Sequence, residues 1–185
     1  MERLEPNTSL VFVVDVQEHL VAAIPPDAAA RVVHNTAVLL EAARLLGVSV
    51  MASEQYPKGL GPTVEALRGP LDQVKAPRFE KLAFSALGEP PISAAIVDAA
   101  PRDVLLVGME AHICVFQTAR DLVKRGIRTQ VVADAVASRT EERRAIGLSL
   151  SERAGAVVTT TETVLFEWLG RAGTDAFRAI SKMLR

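Results

Sequence analysis

The chain has 185 residues, 49% of them apolar and 23% charged, with a formal net charge of −1. That length suits a single domain, 1–185, with a substantial buried core, and the balance of apolar to charged residues excludes intrinsic disorder. A near-neutral chain offers no electrostatic footprint for nucleic acid or an anionic membrane surface, and no apolar run is long enough to span a bilayer. Met1-Glu-Arg-Leu-Glu-Pro6 lacks the apolar stretch of a signal peptide, and Cys114 as sole cysteine excludes a disulfide framework, so a cytoplasmic location is expected.

The first element is Leu10-Val-Phe-Val-Val14, a continuous apolar run of the kind found in strands buried on both faces, ending at Asp15. A long helix over 27–46 follows, with Val32, Val33, Ala37, Leu40, Ala43 and Leu46 inward and Gly47 as its stop. Val48-Ser-Val-Met-Ala52 is the second strand. Prolines and glycines at 57, 59, 61, 62, 69, 70 and 77 exclude long helices from 53–80, where a short strand near 74–79 is expected. The spacing then predicts a helix over 91–100, a strand over 103–107, a helix running from the Cys114 region to Gly126, and a strand over 129–133. Ser138-Arg-Thr-Glu141 reads as a capping box opening a helix over 139–153, and 156–158 is a last strand. Thr159-Thr-Thr-Glu162 caps a helix carrying Leu165, Trp168 and Leu169, and a final helix closes the chain. This alternation implies right-handed βαβ units: an α/β fold with a mostly parallel sheet and helices on both faces. Ligands bind such sheets beyond the C-terminal strand ends, where Asp15 and the Cys114 segment both fall.

Cys114 admits two readings. A lone cysteine in a reducing compartment commonly serves as a small buried hydrophobe. A thiol at a helix N-terminus instead faces unpaired N–H groups and the positive end of the dipole, which favour the thiolate. With residues at about 100° intervals, Val115, Phe116, Ala119, Leu122 and Val123 form a core stripe, and Cys114 falls opposite, with Gln117, Thr118 and Asp121. That angle presumes an α-helix already begun at Ile113, and it favours chemistry over packing.

Asp15-Val-Gln17, Lys81 within Phe79-Glu-Lys-Leu-Ala-Phe-Ser85, Gly108 through Cys114-Val115, and Asp134-Ala-Val-Ala-Ser-Arg139 occur in order over residues 9–165. Together they resemble the isochorismatase-like cysteine hydrolases, and Glu54-Gln-Tyr-Pro-Lys-Gly-Leu-Gly61 is similar to the isochorismatase domain-containing proteins. The resemblance implies a three-layer Rossmann-like sandwich around a six-stranded sheet and a catalytic triad of Asp15, Lys81 and Cys114. It also implies a cis peptide joining Met109 to Glu110, with the backbone N–H groups of Glu110 and Cys114 forming an oxyanion hole. The expected activity is hydrolysis of a small amide, ureido or related acyl substrate through a thioester, with no cofactor. Two alternatives stay open: an enol-ether hydrolase driven by Asp15, and a non-catalytic binding or regulatory protein of the same fold.

Nicotinamidases of that superfamily bind a metal through an aspartate and histidines after the second strand. Here that stretch is Ser53-Glu-Gln-Tyr-Pro57, and no histidine lies between His34 and His112, so no metal site is expected. Gln17 is expected to orient Asp15 or line the pocket, Tyr56 and Phe84 to form an apolar wall, and His112 to face the substrate. The apolar residues Leu165, Phe166, Trp168, Leu169, Phe177, Ile180, Met183 and Leu184 exceed one helix face and suggest a homo-oligomer.

Overall fold

Apolar strand segments meet side by side in one six-stranded parallel sheet, ordered β3-β2-β1-β4-β5-β6, in a computed structural model that describes residues 2–184. The strands are β1 (Ser9–Val14), β2 (Ser49–Gln55), β3 (Arg78–Lys81), β4 (Asp103–Met109), β5 (Arg128–Ala137) and β6 (Val157–Thr159). β1 and β4 are buried along their whole length, as continuous apolar runs between two helical layers require.

The helices are α1 (Glu18–Ala22), α2 (Pro26–Leu46), α3 (Pro57–Leu60), α4 (Glu65–Gln73), α5 (Pro90–Ala99), α6 (Phe116–Lys124), α7 (Glu141–Arg153), α8 (Thr161–Leu169) and α9 (Asp175–Met183). Val32, Leu39 and Leu40 of α2, Leu67 of α4, Trp168 of α8 and Ile180 of α9 close one core with alternate residues of the central strands. Ile92 and Ile96 of α5, with Ala119 and Leu122 of α6, close the other. The result is the expected three-layer α/β sandwich. Among the described residues no helix is long and apolar enough to cross a membrane.

The chain runs outward from β1 through β2 to β3, then returns to β4 on the other side of β1. β1 and β4 are therefore the neighbours at which strand order reverses, and a crevice opens at their C-terminal ends. The two strands approach closely there. A Cβ on Gly108, which pairs with Val14, would sit 1.9 Å from the Val14 carbonyl oxygen, and its φ of 114° suits only glycine.

Several boundaries differ from the sequence reading. β2 runs three residues past the expected Ala52, and β3 falls at 78–81 rather than 74–79, so both strands carry side chains to the crevice. Helix α7 begins two residues late: Thr140 is its cap, accepting a bond from the Arg143 N–H, while Ser138 is taken by His112. The surplus of C-terminal apolar residues is largely spent within the chain. Leu165, Trp168 and Ile180 are core residues, and Phe166 meets Phe177 edge-on.

Candidate active site

Each strand that ends at the crevice delivers a polar side chain. Asp15 follows β1 with a φ of 52°, which breaks the strand direction, and it is completely buried. Its amide N–H bonds to the Ser53 carbonyl oxygen at 3.1 Å, and the Ser53 hydroxyl donates to Asp15 Oδ1 at 2.7 Å. Lys81, the last residue of β3, extends an equally buried side chain until Nζ lies 2.7 Å from Asp15 Oδ2. That approach has the distance of an ion pair without the angles of a good hydrogen bond. The ammonium donates to Gln55 Oε1 at 2.5 Å and reaches the carbonyl oxygens of Phe84 at 3.2 Å and Ala83 at 3.3 Å.

Cys114 arrives from the β4 side. The Met109-Glu110 peptide is cis, and residues 111–115 form a single π-helical turn before α6, closed by the bond from the Val115 N–H to the Glu110 carbonyl oxygen. Such turns insert one residue into a helix and are frequent at functional sites. The turn removes the premise of the 100° wheel. Cys114 is only 6% exposed and packs in the same apolar cluster as Val115, Ala119 and Leu122, yet its sulfur faces Asp15, Lys81 and Gln55. It belongs to the core and to the polar crevice at once. α7 presses on the turn from behind, and a Cβ on Gly147 would lie 2.5 Å from the Ala111 carbonyl carbon.

The electrostatics also depart from expectation. The helix terminus was expected to favour the thiolate, but burial, followed by the charge of Asp15, pushes the Cys114 thiol up to about 12 despite Lys81. Burial likewise raises the Asp15 carboxyl, with Lys81 and the Ser53 hydroxyl pulling it back down. At neutral pH the sulfur carries its proton, beside a carboxylate whose basicity is enhanced.

The remaining predicted positions separate. Gln17 is fully buried but has no group left for a ligand. Its Nε2 donates to the carbonyl oxygens of Gly61 (2.7 Å) and Gln55 (3.0 Å), and its Oε1 accepts from the Gln55 N–H (2.7 Å), so it braces the β2 end rather than lining a pocket. Tyr56 and Phe84 are 52% and 56% exposed, and with Leu82 they leave apolar surface around the mouth. Tyr56 also lines a cleft of about 280 Å³ with Pro57, Lys58, Glu80, Lys81, Leu82 and Glu89. His112 turns its Nδ1 to the Ser138 hydroxyl at 3.0 Å, and burial lowers its pKa. The Glu110 side chain accepts from the Arg139 backbone and guanidinium, both at 3.1 Å. Glu54 is taken up by the Thr63 N–H and hydroxyl, and among the described residues no three His, Cys, Asp or Glu side chains converge as a metal-binding group.

Sequence reasoning missed Ser53 and Gln55. Both lay in the Ser53-Glu-Gln-Tyr-Pro57 stretch, and the signal available was position: two polar residues at the end of a strand next to the one that delivers Asp15.

Fold and site together define a three-layer α/β protein with a cysteine, a lysine and a carboxylate gathered at the switch point of a parallel sheet. The chain belongs to the isochorismatase family: the isochorismatase domain matches residues 9–163. Isochorismatase domain-containing protein 2 of Bos taurus is 37% identical over 99% of this chain and 86% of its own length. The structure described as MAR1 ribonuclease from Caenorhabditis elegans is 36% identical, with a TM-score of 0.89 over 99% of this chain and 92% of that one. The Escherichia coli YcaC gene product, described as an octameric hydrolase of unknown specificity, shares the fold at 21% identity, with a TM-score of 0.88 over 98% of this chain and 90% of its own.

Proposed function

We propose that this chain is a metal-independent cysteine hydrolase acting on a small amide, ureido or related acyl compound through a thioester. The observation that carries the reading is the meeting of a thiol, a carboxylate and an ammonium, with Asp15 and Lys81 2.7 Å apart and Cys114 facing both. Because the thiol rests protonated, attack is coupled to proton removal. Cys114 Sγ bonds to the acyl carbon as its proton passes to Asp15, and the carbonyl electron pair moves to oxygen, where the Glu110 and Cys114 N–H groups receive it. Collapse breaks the C–N bond, and the departing amine takes the proton from Asp15. Water then attacks the thioester and gives its proton to Asp15. The second collapse releases the acid, and Asp15 returns that proton to the sulfur. Lys81 keeps its charge throughout and keeps Asp15 ionised between proton transfers.

Trapping of an acyl adduct on Cys114 during a screen of amides and ureido acids, absent in Cys114→Ala, tests the reading. Full turnover in Cys114→Ala would end it. One observation favours a second reading: burial raises the Asp15 carboxyl, as protonation of an enol ether requires. In that case Cys114→Ser retains activity and no adduct forms. Ribonuclease activity, the description carried by three of the similar structures, has less support, since a net charge of −1 supplies little attraction for a polyanion. A homo-oligomer is supported by the apolar Tyr56, Leu82 and Phe84 left exposed at the mouth and by the octameric description of the Escherichia coli protein. Sedimentation of the purified chain as a monomer would remove it.

A further inference from the structure

Gln55 stands at the centre of the crevice without an assigned task. Its side-chain amide cannot turn freely. Nε2 donates to the Leu82 carbonyl oxygen at 2.9 Å, and the backbone is held on both sides by Gln17. Lys81 has only donors, so the amide oxygen must be the end that faces it. That oxygen accepts from Lys81 Nζ at 2.5 Å and lies 3.9 Å from the Cys114 sulfur. Cation and thiol therefore converge on one neutral acceptor at the end of β2, fixed by two bonds to Gln17 beyond β1 and one to Leu82 after β3.

We propose that Gln55 is the positioning residue of this site, holding the Lys81 ammonium against the Cys114 sulfur; the inference rests on the cysteine-hydrolase reading and deepens it. The four acceptors around Nζ are unequal. Asp15 carries a full charge and draws the ammonium toward itself. Gln55 draws it toward the sulfur without adding a negative charge that would suppress the thiolate. A carboxylate at the same position would form a second ion pair with Lys81 and cancel its effect on sulfur. An apolar side chain would let Nζ relax onto Asp15.

The test needs no substrate, because iodoacetamide reports the thiolate directly. Gln55→Glu is expected to slow alkylation of Cys114 at pH 9 at least about tenfold, the equivalent of one unit in the thiol pKa. Gln55→Met is expected to slow it about fivefold in the native background and less than about twofold beside Lys81→Met, since the effect travels through the lysine. Equal slowing in both backgrounds would assign Gln55 a packing role and overturn the proposal. So would unchanged rates in Gln55→Glu, which remains informative if the Lys81 variant does not fold. Loss of the underlying reading looks different: no acyl adduct on Cys114 with any substrate, whatever the alkylation series shows.

Discussion

Two buried aspartates lie on neighbouring strands at opposite ends of the sheet, and both are fully shielded from solvent. Asp15 follows β1 at the C-terminal edge, and Asp103 opens β4 at the N-terminal edge. Asp103 is met by two arginines, Arg128 at 2.7 Å and Arg102 at 3.1 Å, whose side chains are 31% and 38% exposed. Asp15 is met by a lysine that is 0% exposed and by a cysteine. A guanidinium does not release its proton in proteins, whereas a thiol can pass its proton to a neighbouring carboxylate. The N-terminal edge is thus a clasp, tying the start of β4 to β5 and Glu2. The C-terminal edge is a place where a proton can move. Cavity size gives the opposite impression: the cleft at Asp103 measures about 380 Å³, against about 280 Å³ beside Tyr56.

Paired substitutions at Asp15 and Asp103 separate the two edges most clearly. Asp15→Asn is expected to cut turnover about 10³-fold, as loss of a general base does. The same change should speed Cys114 alkylation at fixed pH, because the charge that raises the thiol is gone. Asp103→Asn should leave both rates unchanged and cost about 1–3 kcal/mol of stability, read by denaturant unfolding. If the two asparagine variants behave alike, the distinction drawn between the edges is wrong.

The wild-type Cys114 thiol is also expected to respond to pH. Its alkylation should rise about tenfold per pH unit, the slope of a thiol below its pKa, with no plateau before about pH 12. The sign for stability follows from linkage. Native Cys114 keeps its proton where an unfolded cysteine, with a pKa near 8.5, has lost it, so this contribution falls as pH rises from about 8.5 toward 12. Thermal melts of wild type and Cys114→Ala should therefore converge or cross in that window, and an alkylation plateau near pH 8 would contradict the buried, neutral thiol.

Gly147→Ala probes what holds the C-terminal edge in place. The added methyl would meet the Ala111 carbonyl carbon at 2.5 Å and the His112 nitrogen at 2.6 Å, both backbone atoms. Overpacking of this kind costs about 1–3 kcal/mol, and displacement of the π turn should alter Cys114 alkylation as well. A variant with wild-type stability and reactivity would show that α7 does not support the turn.

The smallest effect concerns Glu89, whose carboxylate accepts the N–H groups of Leu82 (2.8 Å) and Ala83 (2.9 Å) just after Lys81. Those bonds hold its carboxyl below the usual range, so the clamp is present at neutral pH and is lost as acid protonates it. Glu89→Gln should stay within about 0.5 kcal/mol of wild type in stability and flatten the acidic limb of the turnover profile. An unchanged limb would assign it to another group.

Much of this molecule was legible in the chain. The apolar runs at 10–14 and 103–107 announced strands buried on both faces, because only a helix-covered parallel sheet needs such runs. Asp15, Lys81 and Cys114 could be picked out from ordered motifs at strand ends. Gln17 could not be placed correctly, since an amide beside an aspartate looks the same whether it binds ligand or backbone. Gln55 was invisible for a related reason: an amide has no chemical signature until its neighbours are known.

What the sequence determined by itself was the order of strands and helices, and hence which residues stand at strand ends. Periodicity and turn residues act over short distances and are written locally. Only the tertiary structure decided that Lys81, 66 positions beyond Asp15 in the chain, closes to 2.7 Å, that a π turn aims Cys114 into both core and crevice, and that the thiol rests protonated. Those outcomes depend on strand order, register and burial, which arise from many weak contacts between distant segments rather than from any one stretch.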